Sequence, residues 1–174
     1  MGLIFLTGMT ASGKTTLGEK LAAKLRSPFV DLDARIARAT GRKVIQIFAE
    51  GGEAAFREQE ALALRRVVRM PDAVIALGAG ALERQSNFEL VHAHGILIYL
   101  RAPLDLLAQR LIDPSGRPML AGVDNLEHLE HRLLDMLSQR EPRYMTALIV
   151  VDTDGMTSAE DLVEKLCQAL KPSA

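Results

Sequence analysis

Eight residues near the start of the chain, Gly8-Met9-Thr10-Ala11-Ser12-Gly13-Lys14-Thr15, restrict its fold more than any other feature. They match G-x-x-x-x-G-K-[ST]. They stand between an apolar β-rich run, Leu3 to Thr7, and a stretch from Lys14 to Leu25 in which Leu17, Leu21 and Leu25 fall on one helical face. In a strand, glycine loop and helix of this kind, backbone N–H groups turn inward around phosphate oxygens, and the helix N-terminus adds positive potential. Lys14 then reaches the outer phosphates of a nucleoside triphosphate, and Thr15 offers its hydroxyl to Mg²⁺. A glycine turn that merely joins strand to helix is the plainer reading, but a chance match to the whole pattern is rare at ordinary glycine usage. The loop does not separate a small-molecule kinase from a GTPase or a mechanical ATPase, so the rest of the chain must do so.

Beyond the loop, strands and helices alternate. Phe29 to Asp31 reads as a short strand, followed by helical segments at Ala34 to Thr40 and Val44 to Glu50, broken at Gly41. After Gly51-Gly52 a long helix runs from Glu53 to about Arg69, and Pro71 stops it before a buried strand, Ala73 to Leu77. A helix near Ser86 to His92, a strand at Ile96 to Leu100 and a helix from Pro103 to Leu111 follow. The turn-rich, basic stretch 112–124 reads as a mobile lid. Helix Asn125 to Arg140, strand Leu148 to Asp152 and helix Ser158 to Leu170 close the chain. The expected fold is α/β, a three-layer, doubly wound parallel sheet covered on both faces. At 174 residues, without repeats or linkers, a single domain over 1–174 is expected. A net charge of −1 gives no basic field, so neither nucleic acid nor an anionic membrane is an expected partner. The single Cys167 lies on the apolar stripe of the last helix, and no basic leader or long apolar run is present, so a reducing cytoplasm is expected.

The acceptor side is assembled from weaker signals. Asp31 and Asp33 lie two apart at the end of the second strand, able to share a face at the crevice, one for magnesium and one for a hydroxyl. Capping of the next helix is an equally simple role for Asp33. Arg57 and Glu60 share a helix face, as a guanidinium held ready for a carboxylate or as a solvated surface pair. Gly78-Ala79-Gly80 ends the buried strand with little side-chain bulk, a place for a ligand or a plain loop. Arg117 sits in the lid, where closure would bring it onto the transferring phosphoryl group; Arg110, Arg132, Arg140 and Arg143 are near in sequence, and a solvated surface explains most such arginines. His128 and His131, interleaved with Glu127 and Glu130, read as a solvated helix face.

In order along the chain, GMTASGKTT, DLDARI, FREQE, ALGAGAL, GRPML and REPRY together resemble the shikimate kinase family, over nearly the whole length. The resemblance implies a nucleoside monophosphate kinase type of fold, a five-stranded parallel sheet in order 2-3-1-4-5 with a lid. It implies an ATP- and Mg²⁺-dependent kinase acting on the 3-hydroxyl of shikimate, in chorismate and aromatic amino acid biosynthesis, as a cytoplasmic monomer. Residues 8–16, Gly8 through Thr16, would bind ATP together with Arg110, Arg117 and Thr153, the last at the edge of the base. Thr15 and Asp31 would serve the metal. Lys14, Asp33 and Arg117 would be catalytic. Helices over about 33–69 would form the acceptor side, with Asp33 on the shikimate hydroxyls, Arg57 and Arg140 on its carboxylate, and Gly78, Ala79 and Gly80 along its ring. Two positions depart from the family pattern: Ala11 and Ala79 stand where glycines are usual. A kinase for another hydroxy acid such as gluconate, and a non-catalytic nucleotide-binding module, are the competing expectations.

Overall fold

The strand β1, Leu3–Thr7, is buried at every residue, and an apolar strand of that kind needs cover on both faces. The computed structural model, which describes residues 2–111, 118–120, 122–123 and 125–171, provides it. After β1 come α1 (Lys14–Leu25), β2 (Phe29–Asp31), α2 (Leu32–Thr40), α3 (Val44–Val67), β3 (Ala73–Ala76) and α4 (Gln85–His94). β4 (Gly95–Arg101), α5 (Leu104–Arg110), α6 (Leu126–Tyr144), β5 (Ile149–Asp152) and α7 (Ala159–Ala169) complete the order. Short 3₁₀ turns lie at Ala81–Glu83 and Pro118–Leu120.

The five strands are parallel, in the order β2-β3-β1-β4-β5, with Leu3 opposite both Ala73 and Gly95. Alternation along each strand divides the core in two. Leu3, Phe5, Ala73, Ile75, Leu97 and Tyr99 join the apolar cluster on one face, packed with residues of α2, α3 and α6. Ile4, Leu6, Val74, Ile98 and Leu100 join the other, under Leu17 and Leu21 of α1 and Leu162, Val163 and Leu166 of α7. Cys167 is a free thiol packed against that second cluster. From the central β1 the chain passes to the edge strand β2, returns to fill β3 between them, and then crosses β1 to lay down β4 and β5 on the other side. The strand order therefore reverses at β1, and a crevice opens beyond its carboxyl end, where the glycine loop begins.

Three local features differ from the expectation. α2 starts at Leu32, so Asp33 lies in the first helical turn rather than on the strand, and Asp31 is the cap: its carboxylate accepts from Ala34 N at 3.0 Å. The helices on either side of Gly52 form one span, broken only where Gly52 takes φ 68 and ψ −173. α6 runs through Pro142 to Tyr144 instead of ending at Arg140. The lost hydrogen bond at Pro142 is offset because Leu133, Met136, Arg140 and Tyr144 form one buried stripe that a shorter helix would leave unpacked. Of the expected lid, Arg117 and most of 112–124 lie outside the described residues. Among the described residues no helix is long and apolar enough to cross a membrane.

Candidate active site

The glycine loop is shaped by backbone demands. Gly8 has φ 141, and a Cβ there would come within 2.5 Å of the Leu100 carbonyl, so the loop can leave β1 beside β4 only without a side chain. Gly13 caps α1 at φ 97. Ala11 holds the left-handed region at φ 62, where an L-residue is strained. Lys14 Nζ donates to the carbonyls of Gly8 and Met9 at 2.9 and 2.8 Å, which holds the ammonium against the loop. Thr15 Oγ1 donates to Asp31 Oδ2 at 2.9 Å, so the first helical turn and the end of β2 present two oxygens side by side.

These residues border a cavity of about 620 Å³ lined by Thr10 through Thr16 and by Asp31, Asp33, Arg110 and Thr153. Gly8 and Met9 form the root of the loop behind it, Met9 with its side chain in the core. Arg110 donates to the Ala11 carbonyl at 3.0 Å, and Thr153 is fixed by its backbone N–H on the Arg101 carbonyl at 2.8 Å. Gly155 and Thr157, in the turn after Thr153, also face this cavity.

A second cavity of about 370 Å³ lies on the other side of Asp33, bounded by Phe48 and Phe56, Arg57, Glu60, Met136 and Arg140, with Pro118–Leu120 above. Here side chains carry the charge. Glu60 is fully buried and Arg140 nearly so. Arg57 donates to Glu60 Oε2 and Glu53 Oε1, each at 2.9 Å. Arg140 donates through Nε to Glu83. Burial pushes the Glu60 carboxyl up to about 7, against the pull of Arg57. Burial also raises Asp33, with Asp31 adding to the effect and Lys14 and Arg57 opposing it. Asp33 Oδ1 and Glu60 Oε1 are both buried without a hydrogen-bond partner among the described residues. They converge on Gly78, where a Cβ would lie 2.6 Å from Glu60 Oε1 and 3.1 Å from Asp33 Oδ1. Such unpaired acceptors are costly unless something donates to them, and a polyhydroxylated ligand would.

Thr10, Asp33, Gly78 and Ala79 line both cavities and form the wall between them. A Cβ at Gly80 would run into the Arg57 guanidinium, 2.7 Å from Cζ, whereas Ala79 avoids positive φ and its methyl is accommodated. The Tyr144 hydroxyl donates to the Ala79 carbonyl and lies 4.0 Å from Met9 Sδ, tying the loop at 78–80 to the root of the phosphate loop. The Tyr99 ring packs on Tyr144 at 5.1 Å between centroids. Sequence reasoning named Asp33, Arg57, Arg140 and the Gly78–Gly80 loop, and all of them line this second cavity. It missed Glu83 and Tyr144. Tyr144 stands within the REPRY string, but nothing local to Glu83 marks it.

A phosphate loop on one side of a shared wall, and a cavity with paired cations and two unpaired buried carboxylate oxygens on the other, define a P-loop small-molecule kinase. The shikimate kinase family model matches residues 10–171. The chain is 43% identical over 171 residues to shikimate kinase from Chlorobium chlorochromatii (strain CaD3), covering 94% of this chain and 90% of that one. Among solved structures, shikimate kinase from Acinetobacter baumannii in complex with shikimate superposes with a TM-score of 0.90 at 35% identity, covering 98% of this chain and 93% of that one. Shikimate kinase from Bacteroides thetaiotaomicron gives a TM-score of 0.89 at 35% identity, covering 97% and 98%. The chain belongs to the shikimate kinase family.

Proposed function

We propose that residues 1–174 work as one kinase domain that moves the γ-phosphoryl group of ATP to the 3-hydroxyl of shikimate, giving shikimate 3-phosphate and ADP. The observation that carries this reading is Asp33, whose buried, unpartnered Oδ1 stands on the wall between the two cavities. In the acceptor cavity Arg57 and Arg140 take the carboxylate by charge-assisted hydrogen bonds. Asp33 and Glu60 accept from ring hydroxyls, and the bare edge at Gly78–Gly80 lets the ring approach the backbone.

Asp33 orients the attacking hydroxyl and accepts its proton as the new O–P bond forms; the bond from the γ-phosphorus to the β–γ bridging oxygen breaks, and ADP leaves with that oxygen. Lys14 neutralises charge that grows on the β- and γ-phosphates, and the loop N–H groups bind their oxygens. Arg110 and Thr153 border the nucleoside end, and Arg117 joins from the lid. The hydroxyl of Thr15 and the carboxylate of Asp31, hard oxygen donors beside the phosphate loop, fit Mg²⁺. When bound, the metal would draw charge from the phosphate oxygens. In this reading the enzyme is a cytoplasmic monomer of chorismate biosynthesis.

The test is ADP release from ATP and Mg²⁺ with shikimate, gluconate or no acceptor added. Shikimate-dependent release is expected; release with gluconate alone would move the assignment to another hydroxy acid, and nucleotide binding without any acceptor response would leave a binding module.

A further inference from the structure

Arg57 and Arg140 come from α3 and α6, and two guanidinium groups facing one small cavity repel each other. Something must hold them together. Glu53 and Glu60 bind Arg57 from its own helix, at i−4 and i+3, and contribute nothing to Arg140. Among the described residues the one carboxylate within ion-pair reach of both is Glu83, at the end of the 3₁₀ turn that follows Gly80. One of its oxygens accepts from Arg140 Nε; the other stands 3.6 Å from a terminal nitrogen of Arg57.

Glu83 does not line the acceptor cavity, although both arginines do. It grips Arg140 by Nε, the edge of the guanidinium nearest the stem, and so leaves the terminal nitrogens for the cavity. With 4% of its side chain exposed, Arg140 has no solvent to steady it if that contact goes. A carboxylate bridging two cations from behind cancels their repulsion and fixes their planes, which is what two-point recognition of an incoming carboxylate requires.

We propose that Glu83 is the positioning residue of the acceptor-carboxylate site: it converges Arg57 and Arg140, and by doing so makes the enzyme discriminate a carboxylate-bearing acceptor from an uncharged analogue. The inference rests on the acceptor reading given above. Glu83→Ala and Glu83→Gln are to be compared with the wild-type chain in steady-state kinetics, using shikimate and its carboxamide, which keeps the ring and hydroxyls but loses the charge. In Glu83→Ala the KM for shikimate is expected to rise about tenfold or more, with kcat and the KM for ATP within about twofold of wild type. Glu83→Gln retains an oxygen for Arg140 Nε without the charge, and should fall between the two; it also serves if the alanine variant fails to fold. With the carboxamide, variant and wild type should differ by less than about twofold. Equal losses on both acceptors, a loss confined to kcat, or an unchanged shikimate KM would overturn the proposal while leaving the wild-type activity as found. No response of the wild-type chain to shikimate would sink the acceptor reading and this inference with it.

Discussion

The two cavities differ in what they are made of. On the nucleotide side the structure relies on backbone: glycines at Gly8 and Gly13, the first turn of α1, and one lysine held by two carbonyls. On the acceptor side it relies on charged side chains, Asp33 from α2 and Arg57 from α3, both half-buried, and the buried Glu60 of α3 and Arg140 of α6. A backbone cradle binds any nucleoside triphosphate and is fixed by a short continuous string. A side-chain cradle selects one acceptor, and it exists only when elements far apart in sequence are packed together. Specificity should therefore reside in the second cavity and chemical power in the first.

The largest effect should break the first cavity. Lys14→Met removes the cation against the loop and is expected to lower kcat by more than about a thousandfold, with the circular dichroism spectrum unchanged. Wild-type turnover in that variant would end the proposed mechanism. Arg57→Ala should act on the second cavity alone, raising the shikimate KM by about 10²- to 10³-fold, because the acceptor carboxylate then loses one of its two guanidinium partners. An equal rise in the KM for ATP would show that the two halves are not separable in this way.

Next comes the pH dependence of stability. The Glu60 carboxyl ionises near 4.5 when unfolded and at about 7 when folded, so between those values the native state holds a proton that the unfolded state has released. Stability must then fall as pH rises from about 4.5 to 7 and stay lowered above it, by up to about 3 kcal/mol. Urea midpoints at pH 5 and pH 8 should therefore differ more in the wild type than in Glu60→Gln; equal differences would mean that Glu60 is not the group responsible. The smallest effect should be Ala11→Gly. Relief of the positive φ, partly offset by the freer unfolded chain, is expected to stabilise the protein by about 0.5 to 1 kcal/mol. A lower thermal midpoint would show that the Ala11 methyl makes favourable contacts instead.

This contrast also explains what the sequence could reveal. The phosphate loop and the five strands were legible because buried parallel strands are continuous apolar runs and the loop has a fixed spacing; the strand order followed only from the family resemblance. Asp33 was placed on the wrong element because the change from strand to helix occurs within a single residue, and two aspartates two apart both suit a cap. The end of α6 was misjudged at Pro142 because the residue that rewards the longer helix, Tyr144, packs against a loop 65 positions away. Glu83 was invisible for the same reason, its partners lying 26 and 57 residues distant in opposite directions along the chain.

The chain contains no tryptophan and two tyrosines, and both tyrosines meet beneath the wall that separates the cavities. One of them is hydrogen-bonded to the carbonyl of Ala79, which faces both substrates. Fluorescence excited at wavelengths where tyrosine absorbs and phenylalanine does not therefore arises wholly beneath that wall, and a fluorimeter can follow movement of the loop without any dye.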